Sequence, residues 1–147
     1  MPAISGWSTP KSAAPEALRA GIIAILALTL YRVVLLAFTT ADLFVDEAQY
    51  WAWGQQLEFG YYSKPPLIGW VIRAVTGLAG SDAPFWIRLP GPLFHCAAAL
   101  VVLALGRRLW GDAAGAASGI AYATMPGVAV GTLLFSTDTI LLPFFAL

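Results

Sequence analysis

Residues 20–40, AGIIAILALTLYRVVLLAFTT, decide the fold. They form an almost unbroken apolar run of about 20 residues, which at about 1.5 Å per helical residue spans a hydrocarbon core of about 30 Å. Within such a core only a helix satisfies every backbone N–H and C=O from its own chain. Lys11 and Arg19 precede the run and give it the outline of a signal peptide. It is longer than a secretory apolar region, and no small-x-small site closes it before Asp42, so it reads as a retained anchor.

The remainder of the chain has the same character. Of 147 residues, 59% are hydrophobic and only 11% charged, and the mean hydropathy is +0.76, which places the chain among membrane proteins. Lys plus Arg and Asp plus Glu number 8 each, so no basic excess exists to attract nucleic acid. Cys96 is the single cysteine; without an intramolecular partner it reads as a small packing residue. His95, the single histidine, has no ligand set nearby and reads as a packed or pore-facing residue rather than a metal ligand.

Outward from the first span, residues 1–18 read as a flexible tail and 19–147 as a partial membrane domain. Further spans are expected over about 83–105 and 113–135, the third kinked at Pro126, with a fourth starting from 139. The last run, TILLPFFAL, reaches only about 13 Å at helical rise, so the sequence is expected to be a piece of a longer polytopic protein. Lys11 and Arg19 before the first span, and Arg107 and Arg108 after the second, place the N-terminus in the cytoplasm and residues 41–82 outside it. Asp46 and Asp138 then face one compartment. Within that loop PPLIGWVIRAVTGLAG is short and interrupted by Arg73, which suits an interfacial helix. Tyr50, Trp51, Trp53, Tyr61, Tyr62 and Trp70 are aromatics of the kind found at headgroup level. The expected fold class is an all-α integral membrane protein, a polytopic helical bundle with two interfacial helices in its first extracytoplasmic loop.

Three places carry charges that chemistry would use. Asp46 and Glu47 open DEAQYWAWG; Asp46 with Gln49 matches a capping box, and equally a carboxylate at the membrane surface suits a general base for an acceptor hydroxyl. Lys64 precedes Pro65 and Pro66, so a cation and a helix N-terminus meet where a phosphate would bind, or where the loop would be anchored to anionic headgroups. Asp138 opens the last apolar run behind Ser136 and Thr137, as a first-turn acid or as a second carboxylate of one cavity. Arg32, in mid-span, needs a partner within the bundle, a route to the surface or a lipid phosphate; Arg88, at the outer end of the second span, is better placed for a phosphate.

The order of these motifs resembles a known family. An arginine in the first span, then DEAQYW, GYYSKPPLIGW, IRLPGPL, GRRLWG and STD are similar to the amino-terminal region of membrane glycosyltransferases with the C-type fold. The nearest groups are the protein mannosyltransferase-like and aminoarabinose transferase-like enzymes, which include lipopolysaccharide and lipid A sugar transferases of the bacterial inner membrane. The resemblance implies Asp46, with Glu47 beside it, as catalytic base, Lys64 on the donor phosphate with Arg88 or Arg32 assisting, and Asp138 as the acid of the fourth span. It implies a polyprenyl-phosphate-sugar donor, a lipid, glycan or protein acceptor, and an anomeric carbon inverted in one displacement. Aminoarabinose transferases carry a metal-associated glutamate where this chain has Ser63, so no cofactor is required as far as the sequence shows and metal dependence stays open. The competing readings are part of a lipid-linked sugar transporter, whose functional acids would sit at mid-membrane, and an inactive truncated remnant.

Overall fold

The computed structural model describes residues 13–147 as eight helices: α1 (Ala13–Ala37), α2 (Val45–Gly54), α3 (Leu67–Ala79), α4 (Pro84–Arg88), α5 (Pro90–Trp110), α6 (Asp112–Thr124), α7 (Pro126–Gly131) and α8 (Thr137–Phe145). Residues 1–12, with Lys11 and most of the expected tail, lie outside the described residues. The helix starts at Ala13 rather than after Leu18 because Pro15 falls in its first turn, where a missing N–H costs nothing, and Glu16 meets the positive end of the helix dipole.

α1 and the α4–α5 stretch are each long and apolar enough to cross a membrane, over Pro15–Ala37 and Pro84–Trp110. Ile23, Leu26, Leu30, Val34 and Leu35 of α1 are all exposed, a surface compatible with hydrocarbon rather than water. The protein is an all-α membrane protein. Its third apolar segment is not one kinked helix: it breaks between α6 and α7, with Met125 extended at φ −57°, ψ 136°. Pro126 is the reason, since its ring disfavours helical backbone at the preceding residue and it has no N–H to continue the ladder.

α5 turns into α6 through Gly111, whose φ of 91° is closed to residues with a side chain. The two helices then run back against each other so closely that a Cβ at Gly115 would lie 2.7 Å from the Arg107 N and the Leu103 carbonyl. α1 packs onto both, with Ile25, Ala99, Leu103 and Ala123 as the shared core. Small residues permit this approach, which is how helices associate where no water drives them together.

A second core, formed by Tyr50, Ile68, Ile72, Ile87, Phe135 and Ile140, joins α2, α3, α4 and α8. α3 is amphipathic: Ile68, Ile72 and Thr76 are buried while Arg73 and Leu78 are exposed, and Gly80 closes it with φ 63°. The two short helices expected between the first spans are therefore α2 and α3, and they are tied to α8 through their apolar faces.

Gly115→Val drives a branched side chain into backbone atoms of α5 and is expected to destabilise the bundle by roughly 1–3 kcal/mol. Gly127→Ala, where an added Cβ meets open space, is the control and leaves stability within about 1 kcal/mol of the parent. Thermal unfolding in one detergent ranks the two.

Candidate active site at the α2–α8 junction

The sequence reading set Glu47 beside the base and Arg88 on a phosphate; in the structure each is the other's partner, and both are 2% exposed. Arg88 Nε donates to both Glu47 oxygens, at 2.9 and 3.1 Å, and Nη2 reaches Oε2 at 2.7 Å. Its remaining donors take the carbonyls of Ala41, from Nη1 at 2.9 Å, and Asp42, from Nη2 at 2.7 Å. Glu47 in turn accepts the Phe44 N–H at 3.0 Å and the Phe135 N–H at 3.1 Å. One buried pair thus holds the end of the α1–α2 linker, the start of α2, the α4–α5 junction and the segment leading into α8.

This changes how α2 begins. Phe44 is its N-cap, and the acid reaching back to the cap N–H is Glu47, three residues on, not Gln49. Asp46 is thereby freed from capping and is exposed. Successive helical residues point about 100° apart, so locking Glu47 inward turns Asp46 out.

Tyr50 lies one turn after Asp46, on the same side of α2, and is 4% exposed. Its phenol lies beside the Thr137 side chain of α8. Burial chiefly, and then the Asp46 carboxylate, raise its pKa above the ordinary value; Thr137 lowers it, and the Asp138 carboxylate makes the smallest raising contribution. Both carboxylates therefore act on one phenol. Asp138 is exposed, like Asp46, while Thr137, Thr139 and Ile140 beside it are buried. Ser136, at the N-cap of α8, makes no capping bond through its side chain; its hydroxyl pairs with Thr139 at 3.2 Å. The sequence reading took Tyr50 as a headgroup-level aromatic and Thr137 as a residue ahead of Asp138, and did not bring the two together, although the four-residue step from Asp46 to Tyr50 is a legible signal.

Lys64 is exposed and follows a tight turn in which its N–H and C=O both bond Tyr61, at 3.3 Å. It precedes Ile68 by four residues, and Ile68 shares a core with Tyr50 and Ile140, which brings the opening of α3 to the same cluster as α2 and α8. Arg32 is engaged elsewhere: its Nη2 donates to the Ala123 carbonyl at 2.7 Å, in the last turn of α6, beside the chain break that Pro126 imposes. His95 packs near by, with its Nδ1 3.1 Å from the Tyr122 hydroxyl. An apolar recess of about 250 Å³, lined by Thr39, Phe44, Val130, Leu133 and Leu134, opens beside Arg88.

Several loop aromatics hold the loop itself together. Trp51 Nε1 donates to Asp82 at 3.0 Å, Trp70 Nε1 to the Glu58 carbonyl at 2.9 Å, and Trp53 stacks on Tyr61.

Residues 63–147 match the family model for dolichyl-phosphate-mannose-protein mannosyltransferases. Over 129 residues, 88% of this chain, the sequence is 55% identical to a lipid A galacturonosyltransferase of Rhizobium johnstonii, and it spans 27% of that protein's length. No solved structure matches.

Replacing one partner of the buried pair, by Glu47→Gln or Arg88→Met, leaves the other unpaired and is expected to lower stability by roughly 3–5 kcal/mol. The double variant should lose less than the two single losses added together, a coupling that a double-mutant cycle in detergent unfolding measures. Tyr50 ionises above about pH 10. Because its folded pKa is the raised one, its stabilising contribution is complete below the unfolded value and is lost as pH climbs through the folded value. Phenolate absorbance should show that Tyr50→Phe removes a late-titrating phenol; removal of one that titrates at the ordinary value would contradict the burial.

Proposed function

The chain belongs to the dolichyl-phosphate-mannose-protein mannosyltransferase family, and we propose on that premise that it forms the amino-terminal, base-bearing part of an enzyme that moves a sugar from a polyprenyl-phosphate donor to a glycolipid of the lipid A type. The observation that carries this reading is that α2 and α8 share one core, through Tyr50 and Ile140, and are linked by the Glu47–Phe135 bond, so that the exposed carboxylates that open them, Asp46 and Asp138, belong to one junction.

An acceptor hydroxyl attacks the anomeric carbon while Asp46 takes its proton; the bond from that carbon to the phosphate oxygen breaks, and the lipid phosphate departs with the electron pair. The configuration inverts. Lys64, ahead of the α3 N-terminus, balances charge on the departing phosphate. Glu47 and Arg88 are positioning residues, since their charges are spent on each other. Asp138 sets the potential around Tyr50 and orients the acceptor. The apolar recess beside Arg88 suits part of an isoprenoid chain. Arg107 and Arg108, at the opposite end of α5 from Arg88, favour a cytoplasmic placement of that end and an extracytoplasmic site in the inner membrane. The transport reading fares worse, because Asp46 and Asp138 both lie at helix starts rather than within a span.

In membranes holding the complete protein and a radiolabelled polyprenyl-phosphate sugar, Asp46→Asn is expected to reduce transfer by roughly 10²–10⁴-fold. Lys64→Ala should raise the donor KM and lower kcat, because the lysine contacts the phosphate in the ground state and more strongly as charge develops on it in the transition state. Unchanged transfer by Asp46→Asn would remove the base from this scheme.

A further inference from the structure

A second recess lies in the loop between α2 and α3, at the C-terminal end of α2, whereas the first adjoins the α2 N-cap. It holds about 180 Å³, the share of about six waters, and is lined by Ala52, Trp53, Gln56, Glu58, Tyr61 and Tyr62. We propose that it binds a single pyranose ring without an acid group, as an acceptor-side subsite; the inference rests on the transferase reading above.

Two of the lining aromatics are held in place beforehand. Trp53 and Tyr61 stack with centroids 5.1 Å apart and planes 3° from parallel. Tyr61 is tied down by its hydroxyl, which donates to the Gln56 carbonyl at 2.9 Å, and by its paired backbone bonds to Lys64. Its ring lies over Gly69, where a Cβ would come within 3.0 Å of the hydroxyl oxygen. A side chain at that position would push the ring into the recess. An aromatic wall locked before binding adds no ordering cost when a ligand arrives.

The rim is polar. Gln56, Glu58 and Tyr62 all expose their side chains, Tyr62 completely, while the backbone carbonyls of Gln56 and Glu58 are already occupied by Tyr61 and Trp70. An amide that both donates and accepts, a carboxylate that accepts twice and a phenol match the hydroxyl belt of a sugar. Its C–H groups are matched by the aromatic carbons of Trp53 and Tyr61 that line the recess. An isoprenoid tail finds too much polar surface here, and a phosphate meets the Glu58 carboxylate. The same charge disfavours a uronic acid, so this recess is suited to the acceptor rather than to an acidic donor sugar. The Tyr61–Lys64 bridge places it one turn of chain from the lysine assigned to the donor phosphate.

Saturation-transfer NMR on the complete protein in nanodiscs tests this, with methyl β-D-glucopyranoside as probe, galacturonic acid as counter-probe and empty discs as blank. The glucoside should receive saturation from the wild type. The Gln56→Ala/Tyr62→Ala double variant, altered only at exposed side chains, should lose about fivefold or more of it, and Glu58→Gln should raise the galacturonate signal toward that of the glucoside. A wild-type glucoside signal at the blank level, or one unchanged in the double variant, overturns the subsite; galacturonate indifferent to Glu58→Gln overturns the exclusion of acids. The readout needs no turnover. Glucoside binding retained by Asp46→Asn therefore supports the subsite whether or not transfer is lost, which keeps its failure separate from failure of the proposed base.

Discussion

The Glu47–Arg88 pair is made out of reach of water, and a charge placed there without its partner is strongly unfavourable. That cost makes the pair a constraint rather than an ornament: any arrangement of α2 that withdraws Glu47 strands a guanidinium beside the carbonyls of Ala41 and Asp42. The same carboxylate accepts the N–H groups of Phe44 and Phe135, so two segments far apart in sequence are indexed to one side chain. α2, the α4–α5 junction and α8 cannot shift independently while it holds.

Its chemical consequence falls on the neighbour. Asp46 and Glu47 are the same kind of group one residue apart, and the helix gives them opposite fates: one is consumed inside, the other presented outside. Indexing the segment at Phe135 also determines where Asp138 emerges. Tyr50 is buried beside Thr137, and its pKa is raised chiefly by that burial, with the two exposed acids contributing after it. A rigid, largely buried frame carrying a few exposed charges is the arrangement that electrostatic catalysis requires, since the groups need no reorganisation as charge develops.

The bundle beneath the site is built on a different principle. Small residues along α5 and α6 let the backbones approach, and α1 covers both while presenting its large aliphatic side chains outward. Where the chain must carry polarity through this layer, it spends it locally. Arg32 takes the Ala123 carbonyl at the end of α6, whose last turn lacks donors because of Pro126, so a helix break and a mid-span cation compensate each other.

The helical class, two long apolar helices and the two short loop helices were legible in the sequence, because hydrophobic length and an amphipathic period act within a few residues of themselves, whereas Pro126, expected to kink one helix, breaks it instead. Asp46, Lys64 and Asp138 were legible as exposed charges at helix starts for the same reason. What the sequence left undecided was partnership. Nothing local distinguishes Asp46 from Glu47, or tells Arg88 that it faces a carboxylate 41 positions earlier rather than a phosphate. Those assignments depend on which surfaces meet once α2, α5 and α8 pack, and a buried charge selects its partner only there, where solvent has been removed and an unmatched ion has no alternative.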